Sequence, residues 1–230
     1  METTEFNIIH ATTEHLGYAQ QICNEMEASA KARGTGIAKR TPDYIKDKIL
    51  ESKAVIALTK TGEWAGFCYI ETWSHGRYVA NSGLIVSPNF RKSGLAKKIK
   101  QKIFELSRKT YPHAKIFGLT TGLAVMKINS ELGYEPVTYS ELTDDEDFWK
   151  GCQSCVNFEI LKSKDRKNCM CTAMLYDPAE KVKEKKSLWD FAKNSKLYER
   201  FMRIKQNILL KKLTREHKFE AAGRIKMLFR

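Results

Sequence analysis

The stretch IVSPNFRKSGLAKKIK, residues 85–100, restricts the fold more than any other part of the chain. A β-branched apolar run ends at Ser87-Pro88, and a proline there helps stop strand pairing. After Gly94, the residues Ile99, Ile103, Phe104 and Leu106 give a buried stripe, which predicts a helix to about Lys109. A strand that feeds a glycine-containing loop and then a helix is an anion site. The first N–H groups of a helix have no internal partners, and the helix dipole favours negative charge there. Gly94 and Ala96 keep side chains out of the way, and Arg91 and Lys92 add positive charge.

The surrounding pattern sets this unit in a sheet. EFNIIHAT (5–12) reads as a strand and EHLGYAQQICNEMEASAKA (14–32) as a helix. The glycines of RGTGIA (33–38) break that helix. Thr41 then reads as an N-cap with Pro42 at the first helical position, opening a helix to about Glu51. KAVIALTK (53–60), WAGFCYIETW (64–73) and YVANSGLIVS (78–87) read as three antiparallel strands joined by tight turns. Beyond the helix after Gly94, AKIFGLTT (114–121) is a strand, LAVMKINSEL (123–132) a helix and GYEPVTY (133–139) a strand. Thr143 and Glu146 read as a capping box for a helix through about Trp149, and NCMCTAMLYD (168–177) alternates like a strand. The expected class is α+β, with a mixed, mostly antiparallel twisted sheet flanked by helices. No apolar run approaches the roughly 20 residues a bilayer span needs. The N-terminus lacks a basic region followed by an apolar core, so a cytoplasmic protein is expected, with no membrane partner.

Charge divides the chain. The net charge is +13, and residues 180–230 hold 16 Lys and Arg against 6 Asp and Glu. Leu197, Phe201, Ile204 and Ile208 make an apolar stripe in this tail, which predicts a basic helical C-terminal extension. Two readings stay open. Its helices dock on the core or on a second copy, giving a homo-oligomer, or they bind RNA or an anionic surface. Trp189, Phe191, Tyr198 and Phe201 favour docking, so nucleic acid is not the first expectation.

The string Leu84-x-Val86-x-Pro88-x-x-Arg91-x-x-Gly94-x-Ala96 before an amphipathic helix resembles the acyl-CoA-binding motif of the GNAT superfamily of N-acetyltransferases. The order of elements over 5–139 is similar to that fold. The resemblance implies a cofactor site of Leu84, Ile85, Val86, Arg91, Lys92, Ser93, Gly94, Leu95 and Ala96. Backbone N–H groups from about Arg91 to Ala96 would cradle the CoA pyrophosphate. The pantetheine arm would lie along Leu84–Val86, where a main-chain N–H could polarise the thioester carbonyl.

Within that superfamily the chain is similar to the acetyltransferase domain of N-acetylglutamate synthases, in its short, stand-alone form. GIAKRTPDYIKDKI (36–49) resembles their acceptor-side segment, with Lys39 and Arg40 as the adjacent bases. LTT (119–121), with Thr120 and Thr121, and LGYEPV (132–137) also match. The resemblance implies transfer of an acetyl, or alternatively a succinyl, group from acyl-CoA to the α-amine of an amino acid. Glutamate is the first choice, as in the opening step of arginine biosynthesis. Arginine pairs with carboxylates bidentately, so Arg40 and Lys39 are the expected acceptor contacts, with Arg33 and Arg77 in reserve. The chain departs from the family in one clamp. Gly122-Leu123 stands where the family has Arg-Ser. The alternatives are another amine (peptide, polyamine or protein), or a nucleic-acid-binding module that uses the tail and the cysteines.

Direct transfer needs a base for the amine and an acid for the thiolate. Many relatives place a Glu on the strand before the loop, but YVANSGLIV has none. Glu71 on the neighbouring strand is the first base candidate, and His75 in the hairpin the second. Many relatives also carry a Tyr where this chain has Asn129, which hydrogen-bonds but does not titrate. Tyr134 is the alternative acid. Outside the resemblance, Cys152-x-x-Cys155 and Cys169-x-Cys171 form a four-thiolate candidate for structural zinc. Buried free thiols and redox chemistry remain the other readings. The expected organisation is a transferase core over 1–140, a cysteine-containing closure over 141–178 and the basic extension over 179–230.

Overall fold

The structure is a computed structural model that describes residues 5–34 and 40–181. The chain divides into two units, Met1–Ala179 and Glu180–Arg230. The second unit, apart from its first two residues, lies outside the described residues, and so do the expected tail helices. Lys39 and the side chain of Arg33 lie outside them too.

The first unit is a seven-stranded sheet with helices on both faces. Its strands are β1 (Phe6–His10), β2 (Ala54–Thr59), β3 (Trp64–Trp73), β4 (Tyr78–Val86), β5 (Lys115–Thr120), β6 (Glu135–Val137) and β7 (Thr172–Tyr176). The spatial order is β1-β2-β3-β4-β5-β7-β6. All neighbours are antiparallel except β4 and β5, which run parallel and pair only at Tyr78↔Lys115, Val79↔Ile116 and Ala80↔Phe117. Past Ala80 the two strands are no longer paired, so a gap opens toward their C-terminal ends.

Alternation along the strands explains the two faces. On one face, Val55, Cys68, Ile70, Val79 and Ile116 pack with Leu95, Ile99, Ile103 and Leu106 of helix α3 (Leu95–Thr110). On the other, Ile56, Phe67, Tyr69 and Ile85 meet Ile22 and Met26 of α1 (Ala19–Arg33) and Ile45 and Ile49 of α2 (Pro42–Leu50). Thr41 caps α2 as expected, its hydroxyl accepting from the Tyr44 N–H at 3.2 Å. A third cluster covers the Phe117 and Leu175 side of the sheet with Tyr139, Leu142, Phe148, Trp149 and Leu161. This closure includes α5 (Glu146–Lys150) and α6 (Phe158–Ser163), while α4 (Leu123–Glu131) connects β5 to β6.

Several elements differ from expectation. The predicted first helix begins as a 3-10 turn over Thr13–Tyr18. Asp145, not Thr143, caps α5, because its carboxylate accepts from the Asp147 N–H while buried Thr143 accepts from the Asp145 N–H. Helix α6 has no counterpart in the sequence pattern, and the final strand, to which the sequence gives no place in the sheet, inserts between β5 and β6.

Candidate active site

The loop between β4 and α3 has the shape its composition implies. Lys92 and Gly94 both take positive φ, +65° and +78°, which turns the backbone sharply into the helix. Gly94 caps α3 without any side-chain hydrogen bond, and Arg91 to Gly94 are exposed. The first N–H groups of a 16-residue helix therefore face solvent at the end of the β4–β5 gap. Leu95 is buried and anchors the turn. The Arg91 side chain is not free for a phosphate. Its guanidinium donates to Glu25 Oε1 at 2.7 Å and Ser29 Oγ at 2.8 Å on α1, and to the Val86 carbonyl at 3.2 Å.

A β-bulge shapes the strand below the loop. Tyr69 pairs with Ser82 and Phe67 with Ile85, so Gly83 and Leu84 together face Cys68 alone. A bulge leaves one residue out of the ladder. Gly83 takes φ +63° there, and the Tyr69 ring lies against it. Leu84, Ile85 and Val86 then border the gap, with Thr120 at the end of β5 and Thr121 just after it on the far side. The Thr120 hydroxyl accepts from the Gly122 N–H at 3.0 Å.

On the α1–α2 face, four residues form one cluster level with the start of the gap. Glu71 pairs across strands with Ala80, the last β4 residue that pairs with β5. Arg40 donates through Nε to the Tyr69 hydroxyl at 2.8 Å and through Nη2 to Glu71 Oε1 at 3.0 Å. The Tyr44 hydroxyl donates to the same Glu71 oxygen in a short bond, and the Arg40 guanidinium stacks 4.8 Å over the Tyr44 ring. Burial opposes charge on Arg40, but Tyr69, Glu71 and Tyr44 together hold it firmly charged. Burial, then the Glu71 carboxylate, push the Tyr44 hydroxyl upward, and burial does the same to Tyr69, so both stay neutral, Tyr44 donating to Glu71 and Tyr69 accepting from Arg40. The sequence suggested Arg40 and Glu71 separately. Their direct pairing, and the two tyrosines, were missed. The i, i+2 spacing of Tyr69 and Glu71 on one strand face was the available signal.

Other candidates lie elsewhere. His75 and Arg77 sit in the β3–β4 hairpin, lining a groove of about 560 Å³ with Tyr78, Tyr111, His113 and Lys115. That groove is at the C-terminal end of α3, about 24 Å of helix away from the loop. His75 and Arg77 lie in the turn between Trp73 and Tyr78, outside the Arg40–Tyr44–Tyr69–Glu71 cluster. Tyr134 is buried and donates to Asn81 Oδ1 at 3.0 Å. Burial raises its pKa well above the ordinary phenol value, which makes it a poorer acid than expected. Asn129 is buried on α4 beside Gly118 and Met174, and its Oδ1 has no partner.

The zinc reading requires correction. Cys152, Cys169 and Cys171 do pack on the third core cluster. Asn157 joins Cys155 to Cys169, its N–H donating to Cys155 Sγ at 3.4 Å and its carbonyl accepting from Cys169 Sγ at 3.9 Å. Yet among the described residues no three His, Cys, Asp or Glu side chains form a group that could hold a metal ion. Burial, then the neighbouring cysteines, push the thiols up, Cys152 to about 11 and Cys171 to about 12. Protonated thiols of this kind react slowly, because the thiolate is the nucleophile. Alkylation by iodoacetamide at neutral pH should therefore proceed at Cys152 and Cys171 at least ~100-fold more slowly than in the unfolded chain. Peptide-resolved mass spectrometry checks this, and equal rates in the two states would refute it.

Comparison with known proteins bears on this geometry. Residues 36–124 match the family described as "Acetyltransferase (GNAT) family". That stretch holds α2, the strands β2 to β4, the loop with α3, and β5. No curated protein matches the chain in sequence. The GNAT fold itself recurs in solved structures. N-acetylglutamate synthase from Neisseria gonorrhoeae, complexed with coenzyme A and N-acetyl-glutamate, superposes with a TM-score of 0.53 at 16% identity, covering 76% of this chain and 36% of that one. A Mycobacterium tuberculosis protein in complex with CoA gives a TM-score of 0.53 at 14% identity, covering 74% and 98%. A GNAT-family acetyltransferase from Staphylococcus aureus gives 0.51 at 15%, covering 61% and 91%. The match thus spans about a third of the Neisseria protein's length. Among the described residues no helix is long and apolar enough to cross a membrane.

Proposed function

We propose that this GNAT domain transfers an acetyl group from acetyl-CoA to the α-amine of an acidic amino acid, glutamate first, in the cytoplasm. Succinyl-CoA is the alternative donor, and the reaction would be the one that opens arginine biosynthesis. The observation that carries the reading is the Arg40–Glu71 pair beside the last β4–β5 rung. An amino acid is a zwitterion. A guanidinium and a carboxylate side by side match its carboxylate and its ammonium in turn. The Neisseria structure that holds coenzyme A and N-acetyl-glutamate supports the same substrate class.

The chemistry follows from the placement. CoA phosphates meet the N–H groups from Arg91 to Ala96, and the pantetheine arm lies along Leu84–Val86. The bulge at Gly83–Leu84 offers a main-chain N–H to the thioester oxygen. Glu71 takes the proton of the acceptor ammonium. The amine nitrogen then bonds to the acyl carbon, and the C–S bond breaks with its electron pair leaving on sulfur.

The test is a mass-spectrometric acylation assay that pairs acetyl-CoA or succinyl-CoA with a panel of amino acids. Acylated glutamate is the expected product. Arg40→Ala should raise the glutamate KM about 10- to 100-fold, since it removes a charge-assisted carboxylate contact worth about 1.5–3 kcal/mol. CoA binding without any acylated amino acid would move the acceptor to a peptide, polyamine or protein amine.

A further inference from the structure

Lys100 sits in the middle of α3 and is only 2% exposed. Its ammonium donates to the Asn81 carbonyl at 3.2 Å and lies 5.6 Å from the centre of the Tyr134 ring. From β3 it faces the Cys68 thiol, which is fully buried and donates to the Ser82 carbonyl. Asn81 is further held by Tyr134 and by Ser107 of α3, through bonds of 3.0 Å and 2.6 Å. Among the described residues no carboxylate pairs with Lys100. A buried cation with no anion is costly.

The register shows where a partner would lie. The last β4–β5 rung is Ala80↔Phe117. The next would join Asn81 to Gly118, and it is not made. On the Asn81 side stands the Lys100 ammonium. On the Gly118 side stands Asn129, whose Nδ2 lies 3.5 Å from where a Gly118 Cβ would be, and whose buried Oδ1 accepts nothing. The missing rung is thus flanked by an unpaired cation and an unpaired acceptor. Asn81 is five residues from Val86, about 17 Å at strand rise, a span comparable to a pantetheine arm running down from the loop.

We propose that Lys100 and Asn129 form the leaving-group site for the coenzyme A sulfur. Lys100 stabilises the thiolate as the C–S bond breaks. After solvent protonates the sulfur, its S–H donates to Asn129 Oδ1. The two states of one atom satisfy the two groups in succession. Glu71 and Lys100 then serve opposite faces of the sheet at the same level, so the amine enters on the α1–α2 side and the sulfur leaves on the α3 side. This assignment rests on the acyl-CoA reading above. Burial lowers the Lys100 pKa, with only Cys68 opposing it, so an arriving anion also secures its charge.

The decisive experiment titrates the thiol of CoA bound to the protein, followed by thiolate absorbance. Desulfo-CoA, which lacks the sulfur, serves as the affinity control. In the wild type the bound thiol should hold about ten times more thiolate at neutral pH than free CoA, as a thiol with a pKa lower by about one would. Lys100→Met should abolish that gain while desulfo-CoA binds as before, and Asn129→Leu should weaken CoA but not desulfo-CoA. A wild-type thiol that titrates like free CoA, with desulfo-CoA still bound, overturns the leaving-group site and spares the acyl-CoA reading. Failure of the wild type to bind desulfo-CoA overturns both. The wild-type titration decides the matter even if a variant does not fold.

Discussion

Gly83→Ala should lower Tm by about 5–15 °C. Two costs add. At φ +63° an L-residue carries about 1–2 kcal/mol of backbone strain. An added Cβ would also stand 2.2 Å from Tyr69 Cε1 and 2.9 Å from Met26 Cε, both in the buried cluster beneath α1 and α2. Overpacking of that kind costs about 1–3 kcal/mol, and each kcal/mol is worth about 2–4 °C in a unit of this size. Gly62→Ala separates the two terms. Gly62 also has positive φ, +84°, but nothing lies within 4 Å of its missing Cβ. It should cost only the strain. Thermal melts of both variants test this, and a Gly83→Ala melt no lower than that of Gly62→Ala would refute the packing argument. The Tyr69 ring also aims its hydroxyl at Arg40. Displacing it should therefore impair acceptor binding in whatever protein remains folded.

Glu71→Gln should reduce kcat/KM about 10²- to 10⁴-fold, the range expected for loss of a general base. Glutamine keeps the shape and one acceptor oxygen for Arg40 and Tyr44, so the fold and desulfo-CoA affinity should be preserved. What disappears is the carboxylate that takes the ammonium proton. Steady-state kinetics beside a CoA-binding measurement distinguishes this from general damage. A loss of no more than about two-fold would mean that Glu71 only orients Arg40, and that water accepts the proton.

Much of this architecture was legible because it is local. The run to Ser87-Pro88, the glycine at 94 and the stripe of α3 each follow from chain geometry over a few residues, and β2, β3 and β4 from alternation between tight turns. Arg40 was legible through resemblance, and Glu71 through strand position. The rest depended on tertiary context. Periodicity gives no pairing order, so nothing in TAMLY (172–176) tells that β7 enters between β5 and β6. Helix α6 is six residues long with one fully buried side chain, too little for a periodic signal. Lys100 was hidden by its neighbours. In LAKKIKQK the lysines look alike, and Lys97 and Lys98 are indeed exposed. Only the seven-residue spacing to Ser107, also buried, marks Lys100 as part of a polar inner edge of the helix. The cysteines mislead in the opposite direction. Their spacing describes a ligand set, while their surroundings keep them as thiols.

Arg91 was expected beside a phosphate and instead works as a strap. It joins the donor loop to Glu25 and Ser29 on α1, the helix that covers the acceptor side of the sheet. The two substrates would therefore occupy parts of the domain that this partly exposed ion pair helps to join, beside the buried contacts of α1 with the sheet. Such a pair is screened by salt. Ionic strength then acts on this protein twice, once on the attraction of the loop for phosphate and once on the coupling between donor loop and acceptor helix. The second effect belongs to the protein alone and is present before any substrate arrives.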